Sequence, residues 1–230
     1  MFAWWGMERR LQPELLDSLP DGSPAARHSR RDLRVLNRLL GSRRWFERGL
    51  KRLLHPGERV LELGAGGGEI GAGLQARGFP VDGLDRCGRP AAWDARYRWH
   101  RTDLFAFEAW SDYPVVIANL FLHHLDAPQL RWLGERLSSH ARVVLTSEPL
   151  RCRLTGGLFA LVCPLIGAHP VTRHDGRVSI TAGFRHGELA ESLGIGRDVW
   201  RWRTAHTVSG SCRFLAEKRE NPAARPAQHR

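Results

Sequence analysis

A glycine-rich turn directly after a short apolar strand constrains the fold of this chain more than any other feature. The stretch Val60-Leu61-Glu62-Leu63 predicts a strand, and Gly64-Ala65-Gly66-Gly67-Gly68 follows it at once, before a helical stretch. A chain that turns this sharply and brings its backbone close to a ligand needs residues without a Cβ atom, above all Gly64 and Gly66. The arrangement is typical of the first nucleotide-binding turn of a doubly wound α/β sheet.

Strand and helix patterns alternate on both sides of this turn, which favours parallel strands joined by right-handed crossovers. Five such strands are predicted, and two more are expected to close the sheet. The predicted strands are 59–63, 81–85, a short one near 99, 115–119, 142–147, 199–204 and 212–217. The predicted helices between them are one ending at 77, 91–96, 128–138 and 187–193.

The other segments predict additions to this core. Residues 1–55 are interpreted as an N-terminal helical arm and lid, with either two short helices or one helix broken at Gly41, starting from Ser29. Residues 56–217 form the predicted main domain. Within it, residues 151–185 are expected to be a cap insertion made of an apolar segment and a polar loop, and 218–230 a disordered tail.

Charge and hydropathy disfavour a nucleic-acid-binding, a membrane-spanning and an exported protein. The net charge of +11 would favour nucleic acid, but the positive residues are nearly all arginines spread along the chain, and no appended RNA-binding module is visible. No run of about 18 uncharged apolar residues appears, and the first residues lack the order of an export signal. A cytoplasmic chain that leaves nucleic acid unbound is therefore expected.

The cysteines give no indication of a metal centre. They are scattered, form no C-x-x-C pair and have no histidines nearby at metal-ligand spacing. No metal is therefore expected. The four are Cys87, Cys152, Cys163 and Cys212.

A nicotinamide or flavin fingerprint is the rival interpretation of the turn, because Gly66, Gly68 and Gly71 match G-x-G-x-x-G. Directly after the strand, however, the register that starts at Gly64 places Glu69 at the third glycine position. A carboxylate there would repel a pyrophosphate docked at the helix N-terminus. A cofactor without phosphate meets no such repulsion.

The form E-x-G-x-G-x-G, which runs from Glu62 through Gly68, resembles motif I of class I S-adenosylmethionine-dependent methyltransferases. The resemblance covers roughly residues 56–217. It implies a Rossmann-like sheet of seven strands, mostly parallel with an antiparallel final strand, and S-adenosyl-L-methionine as cofactor. It also implies that Gly64, Ala65, Gly66 and Gly68 approach the cofactor and that Glu62 holds its amino group.

Three further positions fall where that family binds its cofactor. Asp85 ends the second strand, where it can accept hydrogen bonds from both ribose hydroxyls, or alternatively stabilise the following turn. The resemblance implies that Asp103 binds the adenine amino group and the Leu104 amide the ring, although Asp103 is also suited to cap a helix. Asn119 ends the fourth strand and leads into residues 120–126, which resemble the family's "LHHL" segment.

Two classes of methyl acceptor are disfavoured by the sequence. The segment after Asn119 lacks the N/D/S-P-P-Y/F motif of adenine and glutamine methyltransferases. Pyrimidine C5 methylation needs a cysteine nucleophile from a Pro-Cys at a strand end, whereas Cys163 lies inside an apolar segment. The apolar residues 154–166, with Trp4, Trp5 and Trp45, favour a small hydrophobic and aromatic acceptor, although a core helix is an equal interpretation. The pattern resembles bacterial methyltransferases of quinone-like and aromatic polyketide-type substrates.

Other functions and contacts stay open. An RNA methyltransferase and a cofactor-binding protein without catalysis are the alternatives, and the apolar insertion is also suited to peripheral membrane contact. A phenolic acceptor would need a base, for which His123 and His124 are the candidates, His124 slightly favoured. The runners-up are His169, His174 and His186.

Overall fold

The computed structural model describes residues 7–20 and 22–219, which form a seven-stranded sheet flanked by helices. The order across the sheet is β3-β2-β1-β4-β5-β7-β6, in which β1 to β5 run parallel and β7 is antiparallel to both of its neighbours. The predicted mostly parallel sheet with an antiparallel final strand is confirmed. The strands are β1 (Val60–Leu63), β2 (Val81–Asp85), β3 (Trp99–Arg101), β4 (Val115–Asn119), β5 (Val143–Pro149), β6 (Trp200–His206) and β7 (Ser211–Lys218).

Helices cover both faces of the sheet. Leu61 and Leu63 of β1 belong to one apolar core, whereas Val60 belongs to the other, because side chains along a strand alternate between faces. The α-helices are α1 (Leu15–Ser18), α2 (Pro24–Leu40), α3 (Ser42–Leu53), α4 (Glu69–Gln75), α5 (Ala127–His140), α6 (Arg153–Leu165), α7 (Pro170–Ala182) and α8 (Glu188–Leu193).

The part of this segment around Gly41 forms two helices, α2 and α3, as one of the two interpretations predicted. Gly41 adopts a left-handed φ of 68°, which ends α2 and lets α3 start in a new direction. The first helix starts earlier than predicted, because the Ser23 hydroxyl caps it by accepting from the Ala26 amide and Pro24 occupies its first turn. Phe46 and Leu50 of α3 are buried in the same core as Val60.

Two predicted local structures are wrong. Residues 91–96 form turns instead of a helix, because the Asp94 carboxylate accepts the Arg96 backbone amide and so competes with helical hydrogen bonding. The polar half of the insertion is helix α7 instead of a loop, started by Pro170 with the His169 side chain as its cap. The predicted tail begins too early at 218, because Lys218 is the last residue of β7. Trp4, Trp5 and the rest of the tail from Glu220 onward lie outside the described residues, so their predicted roles remain expectations.

None of the helices within residues 7–20 and 22–219 has the length and apolar character needed to cross a bilayer.

Candidate active site

The predicted site residues meet at one edge of the sheet. The glycine turn follows β1, Asp85 ends β2, Asp103 follows β3 and Asn119 ends β4, so all four positions lie at carboxyl ends of parallel strands. The strand order reverses between β1 and β4, and such a switch point opens a crevice where doubly wound sheets bind ligands.

The glycine turn has a backbone that few other residues adopt. Gly64, Gly66 and Gly68 have φ values of 61°, 52° and 75°, all in the left-handed region. A Cβ on Gly64 would also lie 2.1 Å from Cδ2 of Phe121, so this ring packs directly on the glycine. Both the conformation and the space therefore require glycine at position 64.

Asp85 holds the glycine turn in place. One carboxylate oxygen accepts the Gly66 amide at 2.7 Å, and the other accepts the Cys87 amide at 2.7 Å. The predicted role in a turn and the predicted role toward a ligand are compatible, because an ionised carboxylate offers about four acceptor positions.

Glu62 is a buried carboxyl group beneath the start of α4. It is 2% exposed, and among the described residues its Oε2 atom has no hydrogen-bond partner. Burial, together with the charges of Glu69 and Asp85, raises the pKa of Glu62 to about 8. An unpaired buried oxygen of this kind is costly in a folded protein unless a water or a ligand supplies the missing partner.

Asp103 acts as the cap that the alternative interpretation predicted. Its Oδ1 accepts the Phe105 amide at 2.9 Å and begins the short 3-10 helix Leu104–Ala106. Its Oδ2 lies 3.9 Å from Arg86 Nη1, and the side chain is 44% exposed. The second oxygen therefore remains accessible to a ligand, while Leu104 is buried beneath it.

The segment after β4 contains backbone strain. Leu120 has a φ of 51°, which is unusual for a residue with a side chain, and its amide donates to the Ser147 carbonyl. The preceding Asn119 donates to Asn37 of α2 at 3.0 Å, while its own Oδ1 is buried without a partner among the described residues. Strain of this kind is typical of functional segments.

Glu148 fixes the turn that carries the two histidines. This fully buried residue of β5 accepts the backbone amides of Phe121 and Leu122 at 3.1 and 3.0 Å. Its Oε2 also lies 2.8 Å from Nδ1 of His123. Glu148 was not among the predicted site residues, although an acidic residue directly after the predicted strand 142–147 was a signal that could have identified it.

His123 lies between two carboxylates. Its Nδ1 faces Glu148, and its Nε2 is 3.6 Å from Oε1 of Glu14, which precedes α1. Burial alone would lower the pKa of His123, but the ion pairs with Glu14 and Glu148 raise it to about 9. His123 therefore carries a positive charge at neutral pH.

His124 has the opposite electrostatic environment. Its ring lies beside that of His123, with centroids 4.2 Å apart and planes tilted by 34°, and the residue is exposed. Desolvation and the charge on His123 lower the pKa of His124, so its imidazole is neutral at neutral pH. Glu14, His123 and His124 each offer a ligand atom within 4.8 Å of the others, a spacing that is compatible with a metal ion.

The first part of the N-terminal arm, residues 7–20, is hydrogen-bonded to this turn and to α7. Arg9 donates to the carbonyls of His123 and Leu125 at 3.2 and 2.8 Å. The Asp175 carboxylate of α7 accepts the amides of Leu15 and Leu16. These bonds place Glu14 beside the histidines, a contact that no local sequence pattern indicates.

The other candidate histidines have different neighbours. His169 caps α7 and packs against His28, with ring centroids 5.3 Å apart. His186 packs against His206 at 5.7 Å. His174 lies beside Asp175, with Nδ1 3.0 Å from Oδ1.

Comparison with solved structures identifies the fold. The plantazolicin methyltransferase BpumL in complex with SAH is 12% identical, with a TM-score of 0.67 over 89% of this chain and 93% of that one. Magnesium protoporphyrin IX methyltransferase (ChlM) from Synechocystis PCC 6803 with bound SAH is 19% identical, with a TM-score of 0.53 over 82% and 86%. The methyltransferase domain of a bacterial Hen1 is 18% identical, with a TM-score of 0.51 over 79% and 99%. No family model and no curated protein matches the sequence.

Proposed function

We propose that this chain, which has the fold of class I methyltransferases, transfers a methyl group from S-adenosylmethionine to a small hydrophobic acceptor. The observation that carries the proposal is the meeting of the left-handed glycine turn, Asp85 and the unpaired Glu62 carboxyl at the switch point. Each matches a part of that cofactor without requiring a phosphate site.

The residues at the sheet edge fit this cofactor. Glu62 would bind the amino group of its methionine part, which gives a partner to the unpaired oxygen. Asp85 would accept the ribose hydroxyls, and Asp103 the adenine amino group. When bound, the cofactor supplies an electrophilic methyl group on a sulfonium, and the glycines leave room for its close approach.

The acceptor is proposed to bind beside the turn that contains His123 and His124. His124 serves as the base, because its neutral imidazole can take a proton from an acceptor hydroxyl. His123 cannot do so while its ion pairs keep it protonated, and it instead positions the turn through Glu148 and Glu14. The structure therefore favours the assignment of base to His124 rather than to His123.

RNA methylation is the second candidate, and the net charge of +11 favours it. The two proposals differ in a direct experiment, in which purified protein and cofactor with a tritiated methyl group are mixed with cellular RNA or with an organic extract of cells. Label that enters the extract and resists ribonuclease supports the small acceptor. Label that enters RNA and is lost after ribonuclease treatment would replace it with the second candidate.

The cofactor proposal is tested by calorimetry, independently of any acceptor. S-adenosylmethionine and S-adenosylhomocysteine are expected to bind and NAD is not. Binding of NAD alone would contradict the interpretation of the glycine turn.

A further inference from the structure

The outer face of α6 is apolar along its whole length. The residues of α6 that are exposed after Arg153 are Leu154, Gly157, Ala160, Leu161, Pro164 and Leu165. Their spacing of three and four residues places them on one face of the helix. Leu161 and Leu165 are 65% and 79% exposed, which means that this face does not line the acceptor pocket that the sequence suggested.

Within α6 and α7, the charged side chains at the surface are arginines. Between residues 153 and 182 the exposed arginines are Arg153, Arg173 and Arg177, and the single acidic residue is Asp175. Asp175 is buried and bonded to the arm, so it does not offset them at the surface. Arg173 and Arg177 also line a groove of about 200 Å³ between α6 and α7.

We propose that this face of α6 docks on an anionic lipid membrane. The exposed leucines would enter the boundary between headgroups and acyl chains, while Arg153, Arg173 and Arg177 bind lipid phosphates. A helix of 13 residues is too short to cross a bilayer, which needs about 20 residues, but it can lie in the interface. A second copy of the chain is the less suitable partner, because a symmetric contact would bring the two sets of arginines together.

Docking in this way would bring the membrane close to the proposed acceptor site. Helix α7 packs against α6 and also against the turn Leu122–His124. A lipid-soluble acceptor would then have a short path from the bilayer to His124. This step rests on the proposed function, whereas membrane docking itself does not.

Flotation of the full chain with vesicles tests the docking without cofactor or acceptor. Vesicles of phosphatidylglycerol and phosphatidylcholine are expected to retain the protein, and pure phosphatidylcholine vesicles much less. The double variant Leu161→Ser and Leu165→Ser keeps the charge constant and is expected to weaken binding at least about tenfold. The matched control replaces two apolar residues that are exposed elsewhere, Leu39→Ser and Val208→Ser, and is expected to bind as the unmodified chain does.

The arginines are tested in the same way. Arg173→Gln with Arg177→Gln is expected to weaken binding to anionic vesicles more than Arg201→Gln with Arg203→Gln, which removes the same charge from β6. Equal losses in both pairs, or unchanged binding in the leucine variant, would overturn the proposal. A dimer in light scattering that the leucine variant dissociates would assign the face to a second copy. If the unmodified chain transfers methyl groups but does not bind vesicles, the docking proposal is refuted and the proposed function stands.

Discussion

Cofactor binding is expected to release a proton from Glu62. Burial raises the pKa of this carboxyl to about 8, so at pH 7 about nine molecules in ten carry the proton. An ammonium group bound against Glu62 requires the charged form. Ionising the carboxyl at pH 7 costs one pKa unit, about 1.4 kcal/mol, which weakens binding about tenfold relative to a pH above 8.

Calorimetry in buffers of different ionisation enthalpy measures this proton directly. Near pH 7 the unmodified chain is expected to release about one proton per cofactor, and its affinity is expected to rise about tenfold per pH unit up to the pKa of about 8. Glu62→Gln keeps the shape but cannot ionise, so both effects are expected to vanish. Glu69→Gln is the control, because Glu69 only adds to the burial effect that raises the pKa of Glu62, so its loss is expected to reduce the proton release without abolishing it.

Two results would refute this reasoning. A binding enthalpy that is the same in all buffers would mean that Glu62 does not change protonation on binding. A proton release that persists in Glu62→Gln would assign it to another group.

Four further predictions follow from the site. Asp85→Ala is expected to weaken cofactor binding by about 2 kcal/mol in calorimetry, because a charged acceptor is lost, and unchanged affinity would remove Asp85 from the site. Gly64→Ala is expected to cost at least about 1 kcal/mol in urea unfolding through its left-handed φ alone, with a further cost from the Phe121 ring; a variant as stable as the parent would contradict this. His124→Ala is expected to lower kcat about 100-fold with cofactor affinity retained. Treatment of the parent with a chelator is expected to leave kcat unchanged. Activity that is lost to the chelator and restored by Mn²⁺ or Zn²⁺ would instead make the histidine cluster a metal site. Folding raises the pKa of His123 from 6.5 to about 9, so the stability that its ion pairs give the fold is fully present below pH 6.5 and is lost as the pH rises through 9. The difference in unfolding free energy between the parent and His123→Gln is therefore expected to fall over that window. A difference that stays constant would refute the ion pairs.

The sheet was predictable because its signals are local. The strand from Val60 to Leu63, the glycines after it and the later alternation each occupy a few consecutive residues. The helix at 91–96 was predicted wrongly because a single side chain, Asp94, redirected the backbone. Helix α7 was missed because its polar composition resembles that of a loop, whereas it is stabilised by packing against α6 and α1.

The candidate site was predictable on the cofactor side and much less on the acceptor side. Glycines and strand-end acids have fixed positions relative to the strands, so Asp85 and Asp103 could be located by spacing. Glu14 lies more than 100 residues before His123, and Glu148 lies on another strand, so their ion pairs depend on tertiary structure. The different pKa directions of the two adjacent histidines follow from those pairs, which is why sequence alone could not rank them clearly.

The hydrogen bonds that fasten the arm also bear on how the chain assembles during synthesis. Arg9 contacts residues 123 and 125, and Leu15 contacts Asp175, which is 160 positions later in the chain. A ribosome at about 5–20 residues per second makes the arm many seconds before its partners. The arm therefore stays undocked until α7 has emerged, and Glu14 is held beside His123 only after Asp175 has been made.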